Sequence, residues 1–270
     1  MERAPVYVGV TTLPSRIERL KPTIESLRAQ SLVPDRIFVS VPLRSVREDR
    51  EYRIPPWLAA PPPGMELVRC AVDYGPGTKL LGCLPRIAAA AACLILVDDD
   101  MVYEPFLVER LAEAQLARKD AAFSFHVFRV GRFDCGQAAD GFSVWTPTLG
   151  GIDVFAARVL RSRHLFLEDD YWRSVFLQSR GISVVSLAST LPRGASVWTR
   201  THADGQLSAL TGDLRRAKRL REGTRFLLVR GSLPARCRLR CAVTYAEWAL
   251  QSLRYRLRRR TPGSIRSDRR

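Results

Sequence analysis

Cys93-Leu94-Ile95-Leu96-Val97-Asp98-Asp99-Asp100 is the stretch on which the fold turns. Five apolar residues without polar alternation describe a strand buried on both faces, as in a mostly parallel sheet covered by helices on either side. The strand ends in three consecutive acids. In open α/β sheets ligands gather at the carboxyl ends of the strands, so this is where a site is expected. Three adjacent carboxylates repel one another unless a cation or a hydrogen-bond network compensates them. Oxygen-only ligation with room for phosphate oxygens suits Mg²⁺ or Mn²⁺.

Upstream, strand and helix patterns alternate. Residues 6–12 (VYVGVTT) are β-branched and short, and Pro14 then opens a helix with Ile17, Leu20, Ile24 and Leu27 at three- and four-residue spacing. Residues 36–41 and 65–72 read as two more strands, separated by a Pro-rich loop over 42–64, and residues 78–92 read as a helix. Downstream, a helix is expected over 104–118, a strand over 121–128, and loops or short antiparallel strands over 131–151. Helices over 153–163 and 169–180 and a strand over 182–187 complete a mixed α/β body with helices on both faces.

Charge divides the chain. The 270 residues carry a formal +16. Residues 1–212 hold 25 basic and 23 acidic side chains, whereas residues 213–270 hold 18 and 4. A nearly neutral body therefore carries a basic tail, which argues against a whole-surface nucleic-acid interface. In the tail, Leu239, Val243, Ala246, Leu250, Leu253 and Leu257 form one apolar stripe on a helix otherwise rich in arginine. Such a helix fits the headgroup layer of an anionic membrane, or docks its stripe on the body. No signal-like segment opens the chain, and its longest apolar run, residues 87–97, is too short to cross a bilayer. The six cysteines contain no CxxC pair and read as buried free thiols of a reducing compartment.

Two further clusters carry chemistry. Asp73-Tyr74-Gly75-Pro76-Gly77-Thr78-Lys79 follows the third strand, with glycines that let backbone approach a ligand and a lysine suited to phosphate. The spacing is not that of a P-loop. Glu168-Asp169-Asp170-Tyr171-Trp172 opens a helix with more acids than a cap needs, so one of them can serve as a general base. Leu149-Gly150-Gly151 is expected beside the same space.

Val10-Thr11-Thr12-x-Pro14-Ser15-Arg16-Ile17, Asp73-Tyr74-Gly75-Pro76-x-Thr78-Lys79-Leu80, the Asp98-Asp99-Asp100 strand end and Glu168-Asp169-Asp170-x-Trp172, in this order, resemble GT-A-type, family-2-like bacterial glycosyltransferases over about residues 5–210. The resemblance implies a GT-A Rossmann-like mixed sheet in residues 1–212; the charge and apolar spacing of residues 213–270 add a basic amphipathic helical tail. It implies a metal-dependent, non-processive enzyme that uses a nucleotide-diphospho-sugar, with inversion at the anomeric carbon. It carries Thr11, Asp73, Lys79, Asp98 and Asp99 to donor binding, Asp98 and Asp100 to the metal of a DxD motif, and Asp170 or Asp169 to the catalytic base. His202 is the expected late metal ligand. The implied acceptor is a cell-envelope glycan or a lipid-linked one, met at the cytoplasmic face of the plasma membrane. A sugar-phosphate nucleotidyltransferase is the rival enzyme, although residues 11–14 offer no Gly-rich loop. An inactive membrane-tethered binding module is the rival of another class.

Overall fold

The computed structural model describes residues 3–87, 91–200 and 207–260, with side chains in the last segment over 215–250. Strand β1 (Val6–Val10) leads through a 3₁₀ turn into α1 (Lys21–Arg28), and Ile17, Leu20, Ile24 and Leu27 are buried as their spacing requires. Strand β2 (Arg36–Pro42) is followed by the Pro-rich loop, which holds a small ladder of β3 (Arg44–Ser45) with β4 (Arg50–Glu51) and one turn, α2 (Pro56–Ala59). After β5 (Met65–Cys70), the helix expected over 78–92 is broken after Leu81 into α3 (Thr78–Leu81) and α4 (Leu84–Ile87), and residues 88–90 of it lie outside the described residues. The break has a cause. Gly82 packs so closely on β2 and β5 that a Cβ there would stand 2.6 Å from Ser40 Cβ and 2.7 Å from Cys70 Sγ, and Pro85 removes a main-chain donor.

Next come β6 (Cys93–Leu96), β7 (Met101–Tyr103) and α5 (Leu107–Ala117). The single strand expected over 121–128 is split into β8 (Ala121–Ser124) and β9 (Val127–Val130). Ser124 sits at the split, its single hydroxyl proton shared between the His126 and Gln137 carbonyls at 2.9 and 3.0 Å. β9 forms a hairpin with β10 (Phe133–Gly136), and β11 (Phe142–Trp145) then returns to the main sheet. The remaining elements are α6 (Ile152–Val159), α7 (Asp169–Ser179), β12 (Ser183–Ser186), β13 (Trp198–Arg200), α8 (Leu207–Arg230) and α9 (Ala235–Arg260).

Seven strands form one sheet in the order β12-β8-β11-β6-β1-β2-β5. All neighbours are parallel except β11, which runs antiparallel to both β6 and β8. Alternate residues of the apolar strand β6 feed the two cores. Cys93 and Ile95 join β1, α1 and α5, while Leu94 and Leu96 join β11 and α7. The chain moves outward from β1 to β2 and β5, then returns to the other side of β1 as β6, so the connections diverge between the ends of β1 and β6. A crevice opens at such a switch point.

The C-terminal helices are not detached. α8 crosses residue 212 without a break, packs on α6 and α9, and buries Leu227; α9 packs on α7 and buries Cys237 and Cys241. Tyr171 and Thr224 share a hydroxyl contact of 2.7 Å, and Arg132 meets Glu247 at 2.6 Å. The stripe read from the sequence does not make this contact: Leu239, Ala246 and Leu250 are exposed and Val243 is half-buried. Leu253 and Leu257 have side chains outside the described residues. All six cysteines are buried and unpaired.

Candidate active site

Thr11 and Thr12 follow β1 beside the acids that follow β6, and a cleft opens over them. Its walls include Thr11, Arg16, Asp73, Asp98, Asp99 and Asp100, together with Arg47, Arg200 and Arg216 from more distant elements. The three acids of the triplet have different partners. Lys79 Nζ lies 2.6 Å from Asp98 Oδ1 and 3.3 Å from Asp169 Oδ2, so one ammonium joins the β6 acids to the α7 acids. Asp99 accepts from the Thr12 hydroxyl at 2.5 Å and from Arg16 at 2.7 Å, and Thr23 donates to its carbonyl. Asp100 meets the other arm of Arg16 at 3.7 Å and also feels the charge of Arg200.

Burial alone would push the Asp98 carboxyl up, but Lys79 outweighs it and holds that carboxyl below the usual range. Asp99 is pushed up to about 6 by burial, against the pull of Arg16 and Thr12. Asp100 is also raised, by burial and then by the neighbouring Asp98 charge. Lys79 is only 2% exposed, and burial would lower it; Asp169 and Asp98 more than reverse that and keep it charged.

The α7 acids divide in the same way. Asp169 Oδ2 takes both Lys79 and Arg173. Asp170 uses a single oxygen, Oδ1, for Arg173 at 2.8 Å and for the Ala138 main-chain N–H at 3.2 Å. Burial, then the Asp169 charge, raises the Asp170 carboxyl to about 6. Glu168 points elsewhere, to Arg219 at 2.8 Å and Arg216 at 3.3 Å on α8. The Asp73-to-Gly77 loop is fixed by Asp73, whose two oxygens accept from the Val46 and Gly75 main-chain N–H groups at 2.7 Å each. Gly75 is required there: its φ is +60°, and a Cβ would lie 2.5 Å from the Phe166 carbonyl oxygen.

Thr11, Asp73 and Asp98–Asp100 thus share one cleft; Lys79 lies beneath it, and Asp169 and Asp170 join it through Lys79 and Arg173. His202 falls outside the described residues. Leu149, Gly150 and Gly151 do not reach this space. They line a separate pocket with Tyr74, Leu84 and Pro147, because Gly151 is committed to starting α6. Sequence reasoning passed over Arg173, although its spacing of three and four from Asp170 and Asp169 is that of facing helix positions. Arg47, Arg200 and Arg216 gave no local signal, since each reaches the cleft only through tertiary packing.

Among the described residues no three His, Cys, Asp or Glu side chains are clustered as a metal cage. A cage is not what a phosphate-bridging ion needs: Mg²⁺ commonly takes one or two protein carboxylates and completes its shell with phosphate and water. Five carboxylates (Asp98, Asp99, Asp100, Asp169, Asp170) meet three cations here (Lys79, Arg16, Arg173). The donor set is hard oxygen, and Asp100 makes the longest ion-pair contact of the triplet. These residues fit a divalent cation.

No family model and no curated relative matches the sequence. Solved structures do. The mannosyltransferase PcManGT from Pyrobaculum calidifontis, in complex with GDP-Man and Mn²⁺, is 15% identical, with 94% of this chain and 74% of that chain covered at a TM-score of 0.58. S. aureus TarS 1-349, in complex with UDP-GlcNAc, is 12% identical, with 93% and 73% covered at 0.52. At such identities the likeness is one of fold. The chain has the GT-A glycosyltransferase fold, a mixed α/β sheet with helices on both faces, as the sequence motifs implied.

Proposed function

We propose that this protein transfers a sugar from a nucleotide-diphospho-sugar to an acceptor hydroxyl. The observation that carries the reading is the β6 end: Asp98, Asp99 and Asp100 at the topological switch point, with Asp98 linked by Lys79 to Asp169 at the start of α7. In this reading residues 1–212 are the transferase domain and residues 213–270 a basic tail whose first helix lends Arg216 to the cleft.

Thr11, Asp73 and Asp99 line the donor side, and Asp98 stays ionised through Lys79. Asp100, with Asp98 and His202 as the further ligands, would hold Mn²⁺ or Mg²⁺, which supplies Lewis-acid stabilisation of a departing diphosphate. Lys79 and Arg173 keep the floor of the site rigid and positively charged, so the arrangement costs little reorganisation during reaction. Asp170 is the base and Asp169 its positioning neighbour. Asp169 is held between two cations, whereas Asp170 keeps one oxygen clear of the bonds that anchor the other. Asp170 takes the proton of the acceptor O–H, the acceptor oxygen bonds to the anomeric carbon, and the bond from that carbon to the diphosphate oxygen breaks with its electron pair leaving on the nucleotide. A single displacement of this kind inverts the anomeric centre, and one sugar is transferred per encounter.

The acceptor in this reading is an envelope glycan or lipid-linked glycan at the cytoplasmic face of the plasma membrane. No described helix is long and apolar enough to cross a membrane, so attachment would be peripheral. Thermal unfolding with Mn²⁺ and, in turn, UDP, GDP, CMP and dTDP tests the donor site. A ligand near a hundred times its Kd adds about 2.7 kcal/mol to the folded state. A metal-dependent rise with one nucleotide is expected, and no rise with any of them would sink the reading.

A further inference from the structure

α9 has two apolar faces, and the body uses only one. Cys237, Cys241 and Thr244 are buried and Trp248 packs beside them, following a spacing of four, three and four. At 3.6 residues per turn, Leu239, Val243, Ala246 and Leu250 lie about half a turn round the helix from that docked face. Leu239 is 66% exposed and Leu250 55%, and on the neighbouring α8 Val229 is 71% exposed. Leu239 and Leu250 repeat about three turns apart on one helix face, where aligned exposed apolar side chains mark an interaction surface.

The charges around this second face are mostly basic, and its two acids, Glu222 and Glu247, are each paired with an arginine. Arg236 and Arg238 are exposed on its two sides at the start of α9, Arg236 while also donating to the Ser179 main-chain carbonyl at 3.1 Å, and Arg225 and Arg230 are exposed on α8. The 26 residues of α9 include a single acid, Glu247, and Arg132 already pairs with it. An apolar stripe flanked by guanidinium groups matches the boundary between acyl chains and anionic headgroups. A second copy of the chain is a poor occupant, because a two-fold contact through this face would set like charges against each other.

We infer that the outer face of α9, with Leu239, Val243, Ala246 and Leu250 at its centre and Arg236 and Arg238 at its edges, seats the protein on an anionic bilayer while the opposite face holds the body. The tail is then a two-sided plate, docked to the enzyme on one side and to lipid on the other. This inference gives the membrane-side reading above its surface, and its test is separate from nucleotide binding.

The test is co-sedimentation of the full chain with vesicles of phosphatidylglycerol and phosphatidylcholine, compared with phosphatidylcholine alone. The wild-type chain is expected to bind the anionic vesicles and to release them as salt screens the headgroups. Leu239→Glu/Leu250→Glu, at positions exposed enough to leave the fold intact, should weaken binding by about tenfold or more. Arg236→Gln/Arg238→Gln should weaken it less and flatten its salt dependence. The nucleotide-dependent thermal shift should persist in both variants, so a failed donor site and a failed membrane face give different results. Wild-type protein that ignores anionic vesicles would overturn the inference. So would unchanged vesicle binding by the glutamate variant, or a dimer that this variant dissociates while vesicle binding stays intact.

Discussion

Basic side chains do opposite work in two regions of this molecule. Beneath the cleft Lys79 and Arg173 are 2% and 1% exposed, and each is fixed between carboxylates. On the outer helices Arg225, Arg230 and Arg238 stand in solvent. A buried cation keeps an acid ionised in a medium that would otherwise neutralise it. An exposed one contributes little to the fold and is left for a partner. The formal +16 therefore mixes two populations, and only the outer one describes a surface.

If that division is right, the largest losses come from the acids that the buried cations serve. Asp100→Ala should leave the fold intact and remove several kcal/mol of transition-state stabilisation, about a thousandfold or more in turnover, read as product formed from the nucleotide-sugar that the thermal screen selects. Asp170→Asn should lower kcat by roughly 10²–10⁴ with nucleotide binding retained. The pH profile gives this assignment a second test. A base must be deprotonated to act, and the Asp170 carboxyl is raised to about 6. Wild-type activity should rise with pH through that region and fall below it, and the Asn variant should lose that limb. If Asp169→Asn removes the limb while Asp170→Asn keeps it, the two roles are exchanged.

Next in size is a loss of stability. Lys79→Met removes the ammonium shared by Asp98 and Asp169; Asp169 keeps Arg173, but Asp98 loses its ion-pair partner. Breaking a buried pair from one side costs about 3–5 kcal/mol. Urea unfolding should show most of that loss near neutral pH. An unchanged midpoint would mean that water already reaches these groups.

The same contrast separates what could be read in the sequence from what could not. β6 was legible because five apolar residues in a row admit few alternatives, and the acids after it were legible because like charges in series demand compensation. The compensation was not. Arg16 lies 83 residues from Asp99, and Arg216 lies 48 from Glu168, so only the folded sheet and helices bring them together. The α9 stripe was read correctly as apolar, but which side met the body depended on Cys237, Cys241 and Thr244, small residues that carry a weaker hydrophobic signal than leucine. The broken helix after Thr78 was hidden for a related reason: Gly82 is there for a close approach to β2 and β5, not for local propensity.

The smallest expected effect completes the comparison. Arg238→Gln removes the same kind of charge as Lys79→Met, yet its side chain is exposed on α9. Surface substitutions away from buried networks change stability by less than about 0.5 kcal/mol, so its urea midpoint should match wild type. Its lipid affinity should still fall, since each arginine near an anionic surface contributes on the order of 1 kcal/mol at low salt. The two substitutions would then sort cleanly, one altering unfolding and the other altering only where the folded protein sits. A large loss of stability in Arg238→Gln would instead mean that this arginine supports the docking of α9, and the boundary between fold-supporting and surface charge would have to move outward across that helix.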